Sequence, residues 1–150
     1  MEKILVSRCL LGENCRYKGD SNFCEKAAAL AKEYEVISVC PEVDGGLPVP
    51  RDPAERIGDR VITCSGRDVT AEYVKGAEIA LKTALENGVK QAVLKARSPS
   101  CGSGMIYDGT FSKTLVDGMG KAAELLTSHG IRVIGESELE TLRGDKECFT

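Results

Sequence analysis

A chain of 150 residues is long enough to bury a core without staples and fits one domain. Its 42% hydrophobic and 29% charged residues are ordinary for a globular protein, and a net charge of −3 offers no basic footprint for duplex nucleic acid. No apolar run approaches the ~20 residues that cross a bilayer, and Met1 to Val6 carry neither a signal peptide's apolar core nor its cleavage site, so a cytoplasmic protein is expected.

Lys3-Ile-Leu-Val-Ser7 is an apolar run of strand length, the pattern of a parallel strand buried on both faces. Arg8-Cys9-Leu10-Leu11-Gly12 ends it, and a polar loop rich in turn formers runs from Glu13 to Asp20. Ser21 or Asn22 can cap a helix from about Phe23 to Tyr34, with Ala27, Leu30, Ala31 and Tyr34 on its inner face. Glu35 to Val39 is a second strand, stopped at Cys40-Pro41 because proline cannot donate to a ladder. Four of the five prolines and a Gly-Gly pair fall between Cys40 and Glu55. That composition excludes helix and central strand and predicts a stiff loop draped over a site.

Arg60 to Cys64, followed by the turn Ser65-Gly66-Arg67, predicts a short strand or hairpin. Thr70 caps a long helix over about Ala71 to Asn87, with Val74, Ala77, Leu81, Ala84 and Leu85 at helical spacing and Gly88 as its stop. Gln91 to Lys95 is another buried strand, leading into Ser98-Pro-Ser-Cys101-Gly102. Ile106 to Phe111 reads as a tight turn with Asp108-Gly109 at its tip. A helix from about Met119 to His129 ends at Gly130, Ile131 to Ile134 is the last core strand, and Ser137 caps a short helix through Leu142. Alternating strands and helices predict an α/β class, a Rossmann-like three-layer sandwich with a mainly parallel sheet.

Seven cysteines in a reducing compartment fit a disulfide framework poorly, which favours metal binding or thiol chemistry. Taken singly, each is equally a small buried hydrophobe. Position separates three of them. Right-handed crossovers put the second strand on one side of the first and the later strands on its other side, so the switch point falls beside the first strand. Cys9, Cys40 and Cys101 all follow the carboxyl ends of strands at that crevice. Neighbouring strands lie ~5 Å apart, so these thiols can reach one small inorganic centre, either zinc with a water ligand or an iron–sulfur cluster.

Glu42 in the stiff loop is a candidate general base or acid, and Ser98 and Ser100 flank Pro99 where they can orient water or substrate. Arg16 and Arg51 are candidates for holding a polar substrate, although either can simply pair with a carboxylate. Cys15 lies in a loop leaving the same edge, whereas Cys24, Cys64 and Cys148 have no comparable placement. His129, at a helix end, reads as a surface residue rather than a ligand. A nucleotide-binding reading lacks its phosphate cradle, because the first strand leads to Cys9-Leu-Leu-Gly12 and not to GxGxxG.

Together these motifs resemble one family. They are Cys9-Leu-Leu-Gly with Arg16-Tyr17 and Gly19, Cys40-Pro-Glu with Gly45-Gly46-Leu-Pro and Pro50-Arg51, Gly66-Arg-Asp-Val-Thr70, Lys95 with Ser98-Pro-Ser-Cys-Gly102, and Tyr107-Asp-Gly109. The family was long carried as domain of unknown function 523 and includes the thiouracil desulfurases. The likeness runs from about Cys9 to Glu136. It implies an oxygen-sensitive 4Fe–4S cluster on three cysteines, here Cys9, Cys40 and Cys101, with a fourth iron free for the sulfur of 2-thiouracil. It also implies that water replaces that sulfur to give uracil and hydrosulfide without net redox change, with Glu42 and Ser98 handling protons. Membership does not fix the thiolated base. Two other readings remain open at this point: a non-catalytic metal or iron–sulfur redox sensor, and an open-iron lyase or hydrolase acting on another sulfur compound.

Overall fold

The computed structural model describes residues 1–142, which leaves Cys148 outside the described residues. Four parallel strands make the central sheet: β1 (Lys3–Ser7), β2 (Glu35–Val39), β5 (Gln91–Leu94) and β8 (Arg132–Gly135), in the order β2-β1-β5-β8. The expected topology holds, with β2 on one side of β1 and β5 and β8 on the other, so the switch point lies beside β1. The two-residue alternation of side chains divides the core. Ile4, Val6, Val93 and Ile134 face one side with α1 (Glu25–Ala28) and the 3₁₀ turns. Leu5, Val39, Ala92 and Leu94 face the other, against α3 (Thr70–Glu86) and α4 (Lys121–Ser128). Apolar runs form the two central strands, β1 and β5, because both of their faces are covered.

Several elements differ from expectation. The helix expected over about 23–34 is a four-residue α1 followed by a 3₁₀ turn, Ala29–Lys32. Ser21 and Asn22 do not cap it. The Asn22 N–H donates to Cys9 O and the Cys24 N–H to Leu10 O, which holds the segment extended until Glu25. Pro41, expected to exclude helix, opens a short one, α2 (Pro41–Asp44), where its missing N–H has no intrahelical partner to lose. The loop's end forms β3 (Ala54–Ile57), paired antiparallel with β4 (Arg60–Thr63). In α3 the inner face carries Tyr73, Gly76, Ala77, Ala80 and Ala84, while Val74 and Leu85 are exposed.

Thr70 lies inside α3 rather than capping it; its hydroxyl accepts from the Val61 N–H and donates to Asp68. The turn at Asp108-Gly109 is not tight, because β6 (Met105–Tyr107) pairs with β7 (Leu115–Asp117) across a seven-residue connection that runs over 108–114. The last segment is a 3₁₀ turn, Glu136–Thr141, whose preceding Gly135 N–H is accepted by Glu138 rather than Ser137. No helix among the described residues is long and apolar enough to cross a membrane.

Two glycines seat α2 on α3. A Cβ at Gly76 would lie 1.8 Å from Pro41 O, and one at Gly45 would lie 2.1 Å from Glu72 O. Glycine inside a helix costs roughly 0.5–1 kcal/mol relative to alanine, so Gly76 trades helix propensity for backbone contact. That contact places Cys40 and Glu42. We expect Gly76→Ala to push α2 off α3, lowering stability by about 3 kcal/mol and the melting temperature by roughly 6–12 °C for a chain of this size. Thermal unfolding checks this, and an unchanged Tm would contradict the packing.

Candidate active site

The carboxyl edge of the sheet opens into a cavity of about 460 Å³, lined by Cys9, Cys15, Cys40, Cys101, Glu42 and Ser98 among others. Cys9 sits in the 3₁₀ turn Arg8–Leu11 that ends β1, and Cys40 is the residue between β2 and α2. Cys101 is held from two directions. The Ser98 hydroxyl accepts from the N–H groups of Ser100 and Cys101, each at 3.1 Å. The carbonyls of Pro99 and Ser100 accept from the first amides of α4, giving its unpaired N–H groups partners. The Ser7 hydroxyl donates to Cys101 Sγ at 3.6 Å while accepting from the Lys95 N–H.

Cys15 is brought in as well. It is 3% exposed and packs in one cluster with Cys9 and Cys40. The Cys15 thiol, helped by Asn22 and opposed by burial, brings the Cys9 thiol down to about 7. The same thiol and the Val43 N–H lower Cys40 against its burial, while Cys15 itself is pushed up by Cys40 and Cys9. Burial pushes Cys101 up, opposed by the Ser7 hydroxyl. Cys24 is partly buried and Cys64 is exposed.

Beside the thiols stands a carboxylate with four donors. Glu42 Oε1 accepts from Tyr73 Oη at 2.8 Å and from Arg51 Nη2 and Nε at 3.1 and 3.3 Å. Glu42 Oε2 accepts from Ser98 Oγ at 3.2 Å, its sole partner among the described residues. Burial first, and then the charge of Glu42, raise the Tyr73 phenol well above its ordinary value, so it remains a donor at neutral pH. Arg51, expected at the substrate, is instead spent on Glu42 and on the carbonyls of Cys15 and Pro48, with its side chain 7% exposed. Tyr73 went unnoticed in the sequence because the helical spacing pointed to Val74. A phenol one position away on a face otherwise made of Ala and Gly was its available signal.

Arg16 lines the cavity but pairs with Asp20 at 3.1 Å and lies over the Tyr17 ring. Ser100 does not line it: its side chain is fully buried and its Oγ has no partner. His129 is exposed at the end of α4, with Nδ1 3.0 Å from Leu125 O. Tyr107, Phe111 and Lys113 also line the cavity. Their loop is fixed by buried Glu55, which accepts from the N–H groups of Gly109 and Phe111 at 2.9 and 3.1 Å.

Among the described residues, no three His, Cys, Asp or Glu side chains meet at single-ion spacing. The fit to a larger inorganic centre rests on the donor set and the space. Four thiols from separate turns face one cavity, and thiolate is the usual ligand of iron–sulfur clusters.

Comparisons with known proteins agree with this arrangement. A Bacillus subtilis (strain 168) relative, described as uncharacterized protein YbbK, is 44% identical over 149 residues, covering 93% of this chain and 99% of the relative. A solved structure described as the [4Fe-4S]-dependent thiouracil desulfidase TudS superposes with a TM-score of 0.90 at 51% identity, over 95% of each chain. The family model described as 2-thiouracil desulfurase matches residues 4–138, and the chain belongs to that family.

Proposed function

We propose that this protein removes sulfur from a small thiolated base such as 2-thiouracil, releasing uracil and hydrosulfide, with a 4Fe–4S cluster held by Cys9, Cys40 and Cys101. The observation that carries this reading is the Glu42–Ser98 pair, joined at 3.2 Å and opening onto the same cavity as the thiols. When bound, such a cluster supplies a Lewis-acidic iron with affinity for soft sulfur. The overall change is a substitution of sulfur by water oxygen at carbon, so no electrons are lost or gained.

The chain's own groups handle the protons. Glu42 accepts a proton from the attacking water at Oε2, the oxygen that only Ser98 contacts among the described residues. Ser98 passes a proton between Glu42 and the departing sulfur or a ring nitrogen. Arg51 and Tyr73 hold the carboxylate in one orientation through Oε1. Tyr107 and Phe111 offer flat faces for a planar ring, which aromatic side chains hold by stacking. Arg16, at the cavity mouth, is placed to meet a polar ring edge once it leaves Asp20. Thiolate ligands must remain reduced, which sets this chemistry in the cytoplasm.

The test is anaerobic. Reconstituted protein should hold about four irons and four sulfides per chain, the content of one such cluster, and release uracil and hydrosulfide from 2-thiouracil in equal amounts. Iron without turnover would redirect the reading to another sulfur compound. Tight stoichiometric zinc with no iron would overturn it.

A further inference from the structure

Phe111 and Lys113 belong to the connection over 108–114, whose backbone is strained. Among the described residues, three that are not glycine take a left-handed backbone: Arg97 (φ +67°), Phe111 (φ +57°) and Lys113 (φ +61°). All three line the cavity. A Cβ disfavours that region, so such residues persist only where their surroundings fix them. The connection closes on itself through the Asp108 N–H to Thr114 O bond. Beyond the β6–β7 hairpin, and among the described residues, two hydrogen bonds tie it to the rest of the molecule, and both end on one atom. Glu55 Oε1 accepts from the Gly109 N–H at 2.9 Å and from the Phe111 N–H at 3.1 Å. Carboxylates accepting from backbone N–H groups make some of the stronger hydrogen bonds in proteins. Gly109 lets the connection lie directly on β3, since a Cβ there would come within 2.3 Å of Ile57 Cγ1.

We infer that Glu55 is a positioning residue for the substrate: from β3 it holds Phe111 in its strained conformation, so that the ring of Phe111 meets the planar base. The inference rests on the desulfurase reading above and deepens it, by naming the residue that sets affinity for the base. Glu55 is 9% exposed, and among the described residues no hydrogen bond joins it to Glu42 or Ser98, which share their own bond at 3.2 Å. It therefore stands apart from the proton steps. A contact made equally in the bound substrate and in the transition state changes KM and leaves kcat alone. Glu55 itself lines the cavity, so a direct bond from its Oε2 to the substrate is the rival outcome that the test must separate.

The experiment compares iron-loaded parent, Glu55→Gln, Glu55→Ala, Phe111→Ala and the Glu55→Ala/Phe111→Ala double variant. KM and kcat are measured with 2-thiouracil, uracil affinity by calorimetry, and the rate of tryptic cleavage after Lys113 by mass spectrometry. Glu55→Ala should raise KM and weaken uracil binding at least about tenfold, with kcat within about threefold of the parent. It should also speed cleavage after Lys113. Glu55→Gln should restore near-parental values, because its amide oxygen can still accept both N–H groups. The double variant should bind no worse than Phe111→Ala alone, since two residues acting through one contact do not add. Additive losses would overturn the positioning role in favour of direct contact. Parental KM or parental cleavage in Glu55→Ala, or a fall in kcat at unchanged KM, would overturn it while leaving the desulfurase reading standing. A parent that neither binds uracil nor releases hydrosulfide would overturn both. Should Glu55→Ala fail to fold, Gly109→Ala lifts the same connection off Ile57 and should raise KM likewise; a parental KM there would overturn the inference.

Discussion

Glu42→Gln should lower kcat for 2-thiouracil by about 10²–10⁴-fold, the range typical of a lost general acid–base group, while the iron content stays that of the parent. Glutamine keeps the length of the side chain and can still accept from Tyr73 and Arg51, so the geometry around Oε1 largely survives. What it cannot do is take a proton from water beside Ser98. The substitution also leaves the Arg51 guanidinium, 7% exposed at its side chain, without its counter-charge. Breaking a buried pair by neutralising one partner costs on the order of 3–5 kcal/mol at worst, so the melting temperature must be read beside the rate. Turnover is measured well below that temperature, with circular dichroism as a check on folding. Turnover within a few-fold of the parent in a folded, iron-loaded variant would remove Glu42 from the chemistry.

Cys101→Ala should abolish both cluster retention and turnover. The thiol is buried, is supplied by the loop after β5, and packs in a different core cluster from Cys9, Cys15 and Cys40, so none of those sulfurs shares its place in the packing. Removing one sulfur atom from the packing around Leu5, Leu94 and Leu126 leaves a small void, which the surrounding side chains tolerate far better than the site does. Iron per chain after anaerobic gel filtration is the measurement. Cys64→Ala is the matched control: Cys64 is exposed, follows β4 and does not line the cavity, and its loss should change neither iron nor rate. Parental iron content in Cys101→Ala would sink the assignment of Cys101 as a ligand.

The parts of this molecule legible in its sequence are those where one local signal dominates. Apolar runs with no alternation, Ile4 to Val6 and Ala92 to Leu94, can only be strands covered on both faces, and that is where the sheet lies. Because strand order follows from crossover handedness, the convergence of Cys9, Cys40 and Cys101 on one sheet edge was legible too. Contacts between distant segments were not legible. Pro41 begins a helix because Gly45 and Gly76 let two backbones touch, and neither glycine announces its partner. Arg51 looked available for substrate because its pairing with Glu42, nine positions away, depends on the fold of the proline-rich loop between them. Cys15 stood out only by proximity in sequence, as its approach to Cys9 and Cys40 is set by the long loop that closes on Asp20. Tyr73 was hidden by a register error of a single residue on α3.

The meeting of Ser7 with Cys101 across 94 positions of sequence has a consequence for how the protein comes to be active. No part of the nascent chain can present the complete thiol set until β5 has inserted beside β1, after α3 has crossed between them. Closing so long a segment carries an entropic cost that contacts within the finished sheet must offset. An inorganic centre spanning the two strands would act on that cost as a staple does, binding the folded form and not the unfolded one. Loading and folding are then one coupled equilibrium, and a melting curve becomes a gauge of how much of a preparation carries its iron.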